Sequence, residues 1–210
     1  MTTTRDHVLA RVRRNQPAWR ELPPLPAFAR RLDDPLATFT GALTRMGGTC
    51  AEATADALDS FIRARFPDAR VVCSATPEVE GTRPIGAVRD PRELDDVDVG
   101  VVRAAFGVAE TGSVWLSERE LGVNAIAFLS QHLVVLLDPA AIVADLHDAY
   151  RWRGFRDARY CTLMTGPSAT ADIEGVLIRG AQGIRSLTVV FLAAPAAAAA
   201  AAADEPRRTA

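Results

Sequence analysis

Apolar residues in this chain come in short dense runs, separated by stretches where they recur every three or four positions. His132–Leu137 and Leu187–Leu192 are almost continuously apolar, as strands buried on both faces of a parallel sheet are. Shorter runs at Val71–Cys73, Val97–Val102, Ser113–Leu116 and Tyr160–Met164 predict further strands, and Thr49–Ala51 a weak one. Helical spacing predicts helices over Thr4–Asn15, Pro35–Met46, Ala53–Phe66 and Pro139–Trp152, and another from Ile173 to Ile178. The Asp-Pro pairs at Asp34-Pro35, Asp90-Pro91 and Asp138-Pro139 are helix starts, because aspartate caps free N–H groups and proline at the first helical position loses no hydrogen bond. Gly47-Gly48 and Pro67 supply stops.

Strands alternating with helices predict a single α/β domain over residues 31–192, built on a layered, mostly parallel sheet. The neighbouring runs Val97–Val102 and Ser113–Leu116 allow an antiparallel inserted unit instead. Residues 1–30 read as a helix followed by a Pro-rich arm with Trp19 and Leu22 available to dock. The helix lies on the domain, or the arm grips a partner. Residues 193–210 read as an alanine-rich, frayed tail.

Composition narrows the function. Lys and Arg number 24 against 26 Asp and Glu, and the basic residues are scattered, so no pull toward nucleic acid or a membrane surface is visible. The three cysteines, Cys50, Cys73 and Cys161, are dispersed and form no Cys-x-x-Cys, which argues against a zinc or iron–sulfur site supplied by this chain alone. No apolar run reaches the roughly 20 residues of a membrane helix. The polar start and the odd cysteine count suggest the cytoplasm.

Three small-residue loops are the candidates for chemistry. The first, Thr165-Gly-Pro-Ser-Ala-Thr-Ala-Asp-Ile-Glu174, is read as a strand–loop–helix turn whose free N–H groups face an anion. Thr165, Gly166, Ser168 and Thr170 would hold the ligand there. Asp172 and Glu174 would lie in the first helical turn, where they repel a dianion and favour a monocarboxylate. The second, around Glu110-Thr111-Gly112-Ser113, offers a carboxylate as base or nucleophile beside two hydroxyls; local turn bonds are the alternative role. The third, Gly180–Arg185, ends on Arg185, which would pair with a bound carboxylate or, as the slightly favoured reading, with Asp172. His132 opens a strand, as a ligand contact or as a structural residue. The three loops are expected to converge on one cleft at the carboxyl edge of the sheet, where open α/β sheets put their ligands.

Ala-Glu-Thr-Gly-Ser at 109–113, Gln131-His132, the 165–174 motif and Gly-x-x-Gly-x-Arg at 180–185 together resemble the LUD domain of the lactate utilization protein C (LutC/YkgG) family. The likeness is close over Val97–Leu192. The family pattern near the end is Gly-x-His-Gly-Pro-Arg; here Gln182 and Ile184 replace the histidine and the proline. The resemblance implies a fold like the ribose-5-phosphate isomerase and CoA-transferase group. It also implies an accessory role in oxidising L-lactate to pyruvate beside iron–sulfur partner proteins, with lactate, pyruvate or phosphate as small-anion ligands and no cofactor of its own. The rivals are a stand-alone enzyme acting on a phosphorylated sugar or an acyl-CoA, and a non-catalytic assembly module.

Overall fold

A computed structural model of the chain describes residues 3–24, 26, 31–172 and 174–194. Two helices open it, α1 (Thr4–Arg14) and α2 (Pro35–Arg45), followed by β1 (Thr49–Glu52) and α3 (Leu58–Arg65). Then come β2 (Val72–Ser74), β3 (Arg83–Pro84), β4 (Val99–Arg103), β5 (Phe106–Val108) and β6 (Ser113–Ser117). The short helices α4 (Glu118–Leu121) and α5 (Ile126–Leu129) lead into β7 (His132–Leu137) and β8 (Ile142–Val143). The chain continues through α6 (Leu146–Tyr150), α7 (Gly154–Asp157), β9 (Cys161–Met164), β10 (Ala169–Thr170), β11 (Ile178–Arg179) and β12 (Ser186–Phe191).

Six strands form one fully parallel sheet in the order β1-β12-β7-β4-β2-β3. This is the expected layered α/β architecture. The apolar runs at 132–137 and 186–191 fill its centre because both their faces are covered. Leu133, Val135 and Leu137 pack on the side of α2, and Val134 and Leu136 on the side of α3. α2 starts where Asp34 accepts from the Ala37 N–H with Pro35 behind it, and it buries Phe39 and Leu43 against that first side.

A second sheet, β8-β5-β6-β9, lies over the same face and mixes parallel and antiparallel pairs. Strict alternation explains its two-sided burial. Val114 and Leu116 point to the main core, while Trp115 points the other way, into a cluster with Phe106, Ala149, Trp152 and Phe155 under α6 and α7. The antiparallel unit thus exists, but β6 pairs with β5 and β9, and β4 stays in the parallel sheet.

Two expected helices are absent. Pro139–Trp152 is a single tight turn at 139–141, then β8, then α6. The β-branched pair Ile142-Val143 runs beside Gly107-Val108, and Asp145 caps α6 by accepting from the Asp148 N–H at 2.9 Å. The segment after Thr170 forms no helix: β10 and β11 make a two-stranded antiparallel ribbon joined by a turn with Glu174 at φ 54°. The alanine run Ala196–Ala203 lies outside the described residues.

Candidate functional site

The three motif loops do meet. Thr165 donates its hydroxyl to the Thr111 carbonyl at 3.2 Å. Ser168 donates its hydroxyl to the Gln182 carbonyl at 2.6 Å and its N–H to the Ile184 carbonyl at 3.0 Å, and accepts from the Gly180 N–H at 2.6 Å. They meet, however, at the amino edge of the parallel sheet and not at its carboxyl edge. Residues 180–185 lead into the start of β12, and Thr165 ends β9, which runs antiparallel to β6 in the second sheet.

Most donors of this meeting point are spent on the protein itself. Gly166, at φ 64°, is approached by the Met46 carbonyl: a Cβ there would lie 2.3 Å from that oxygen. Gly112, also at φ 64°, is pressed on α2, where a Cβ would lie 2.2 Å from the Leu43 nitrogen. Ser113 donates to the Thr111 hydroxyl at 2.8 Å. Glu110 accepts the Leu146 N–H at 3.2 Å, so its carboxylate supports the start of α6. Thr170 donates to Asp172 at 3.1 Å, and no Arg185–Asp172 ion pair occurs among the described residues. With no helix after Thr170, Asp172 and Glu174 do not sit in a first helical turn.

His132 is held by Ser186, at 2.8 Å from Nδ1, and stacks on Phe66 with centroids 4.7 Å apart. Burial, with the charges of Arg185 and Arg65, lowers its pKa against the opposing pull of Asp98, so the neutral ring is favoured. Arg185 lines a hollow of about 320 Å³ with Asp95, Gln131 and Phe128.

The carboxyl edge holds the larger feature, a cleft of about 1060 Å³ between the strand ends, the start of α2, the second sheet and α6. Its residues come from the strand-following segments Ala75–Glu78, Arg103–Ala105 and Asp138. Arg103, the last residue of β4, donates Nε to Glu78 Oε1 at 2.7 Å and Nη1 to the Leu192 carbonyl at 3.2 Å. Its Nη2 lies 2.6 Å from the same Glu78 oxygen but is not aligned to donate, and it remains a buried N–H group with no hydrogen-bond partner. Glu78 accepts from the Thr76 hydroxyl through its other oxygen. Burial alone would raise the Glu78 carboxyl; the Thr76 hydrogen bond and the charge of Arg103 outweigh it and hold the group below the ordinary glutamate range. Ser117 and Glu120, also in the wall, are occupied as a capping box for α4, and Asp138 accepts the Ala140 and Ala194 N–H groups.

Thr76, Glu78, Arg103 and Trp115 were not among the sequence candidates. The available signal was a charge at the end of an apolar strand, Val99–Arg103, and a polar triplet, Thr76-Pro77-Glu78, just after another. Among the described residues no group of three or more His, Cys, Asp or Glu side chains could hold a metal ion, and no helix is long and apolar enough to cross a membrane.

The LUD domain family model matches residues 88–192, half of the chain. A protein of Deinococcus radiodurans named Lactate utilization protein C is 30% identical over 101 residues, 47% of this chain and 48% of that relative. The match thus spans about half the length of the curated relative. A crystal structure of a DUF162 family protein from the same organism superposes with a TM-score of 0.58 at 20% identity, covering 75% of this chain and 96% of that one. That likeness shows the fold.

Proposed function

The chain belongs to the LUD domain family, and from that premise we propose that it serves lactate utilisation: a cytoplasmic accessory component in the oxidation of L-lactate to pyruvate, working beside an iron–sulfur protein. The observation that carries this reading is the match to the relative named Lactate utilization protein C. The dispersed cysteines support an accessory part, because four thiolates from one chain are not available for a cluster. The chain's own ligand in this role is a small carboxylate or phosphate.

The test is genetic and biochemical together. Deleting the gene should abolish growth on L-lactate and leave growth on pyruvate intact. A tagged copy, expressed in the native host on lactate, should elute with a protein carrying iron and acid-labile sulfide. Normal growth of the deletion strain on L-lactate overturns the reading. A second reading, a stand-alone enzyme acting on a phosphorylated sugar or acyl-CoA, is favoured by the size and position of the carboxyl-edge cleft, which is roomy enough for a substrate much larger than lactate.

A further inference from the structure

We propose that the carboxyl-edge cleft binds an organic monocarboxylate, whose oxygens accept from the unspent N–H groups of Arg103 and from the indole N–H of Trp115. The proposal names a site for the carboxylate ligand of the function proposed above, and it rests on that reading only for the choice of probes.

The argument starts from what the protein leaves undone. Among the described residues, two buried side-chain polar atoms have no hydrogen-bond partner: Arg103 Nη2 and Trp115 Nε1. Both are donors, and both side chains line this one cleft. Buried donors left without an acceptor are rare in native proteins and costly. A cleft whose unmet groups are all donors calls for an acceptor-rich ligand.

The guanidinium is set up for that task. Glu78 holds its Nε side, and the Leu192 carbonyl takes one Nη1 hydrogen. One Nη1 hydrogen and those of Nη2 are left, and a carboxylate matches such a paired fork. Glu78 itself is fixed by Thr76, so the arginine is oriented before the ligand arrives.

Charge selects among oxyanions. Five carboxylates against three arginines line the cleft, and one of the five, Glu78, stands beside the anchoring arginine. A dianion pays that repulsion twice, so a monocarboxylate is favoured over phosphate. Leu32, Phe106 and Val143 in the wall give the rest of the molecule an apolar surface.

The experiment is tryptophan-fluorescence and calorimetric titration of the full chain with pyruvate, L-lactate, phenylpyruvate and inorganic phosphate. At least one of the three monocarboxylates should bind in the millimolar range or tighter, and more tightly than phosphate. Arg103→Lys keeps the charge but loses the planar fork, and should weaken binding by about tenfold or more. Trp115→Phe keeps the ring packing and should weaken it by about threefold to tenfold. Arg185→Gln, at the opposite edge, should leave it unchanged. A thermal melt of each variant confirms that it folds, and if Arg103→Lys fails to fold, Trp115→Phe alone decides. Three outcomes overturn the proposal: no binding of any monocarboxylate, binding indifferent to Arg103→Lys and Trp115→Phe, or binding lost in Arg185→Gln. If the carboxylate binds while lactate growth does not depend on the gene, the accessory role fails and the cleft site stands.

Discussion

The two edges of the parallel sheet differ in how they use polar groups. At the amino edge, glycines, hydroxyls and a carboxylate from three loops satisfy one another, as Ser168 does with Gln182, Ile184 and Gly180. At the carboxyl edge, few polar side chains gather, yet two of them, Arg103 and Trp115, keep buried donors unspent. A closed network is architecture: it fixes how the ribbon, the second sheet and α2 join. An open one, beside a cleft, is where a ligand gains hydrogen bonds that the protein has not already made. The motif-rich edge and the chemically available edge are therefore not the same.

The sharpest way to break this comparison is at Gly112 and Gly166. If the amino edge is architecture, valine at either position collides with protein and not with a ligand. A Cβ would meet the Leu43 backbone in one case and the Met46 carbonyl in the other, in a left-handed conformation that a β-branched residue resists. Each variant should lose more than about 3 kcal/mol of stability, read as the shift of the urea unfolding midpoint. A Gly166→Val protein of wild-type stability would return that loop to the list of ligand sites.

The largest effect at the carboxyl edge lies in the ion pair. Arg103→Met leaves the Glu78 carboxylate buried without its cation and should cost about 3 kcal/mol at neutral pH. The sign with pH follows from the depressed carboxyl. A group whose pKa is lower folded than unfolded adds stability above its unfolded value, and that stability is lost as pH falls through the folded one. The gap between wild type and Arg103→Met should therefore be full at neutral pH and narrow below the ordinary glutamate value of 4.5. Unfolding free energies measured across that range would show it, and a gap independent of pH would mean that Glu78 is not the group being paired.

Much of the fold was legible because burial leaves a periodic trace. β7 is where its apolar run ends and begins, and α2 starts at its Asp-Pro pair and stops before Gly47-Gly48. The failures have a common cause. Ile142-Val143 and Ile178 carry apolar residues at helical spacing, but each is claimed by a neighbour distant in sequence: Gly107-Val108 in one case, Thr170 in the other. Spacing along the chain does not register such pairings. The site was misplaced for the same reason. A loop after a strand was taken to lie at the carboxyl edge, but β9 belongs to the second sheet and runs the other way, so its end points to the amino edge. Glu78 and Arg103 carry no motif; 25 residues separate them, and only the parallel pairing of β2 with β4 brings their strand ends side by side.

The smallest effect is expected from the N-terminal arm, and it tests whether the body can be divided from it near residue 31. α1 is well formed locally, with a capping box between Thr3 and Asp6, but none of its 11 residues is buried. Trp19 and Leu22 are 86% and 87% exposed, so the arm contributes almost no apolar burial to the body. An isolated helix of this length is marginal in water. Deleting residues 1–22 should thus move the stability of the remaining chain by less than about 0.5 kcal/mol while reducing the helical circular-dichroism signal. A larger loss would mean that the arm packs on the body. The same truncated chain also refines the contrast between the edges. The arm joins the body beside Leu32, which lines the carboxyl-edge cleft, and not beside the motif loops. If the arm is independent of the cleft, monocarboxylate affinity stays unchanged on deletion; a change in affinity without a change in stability would make the arm part of the cleft's mouth.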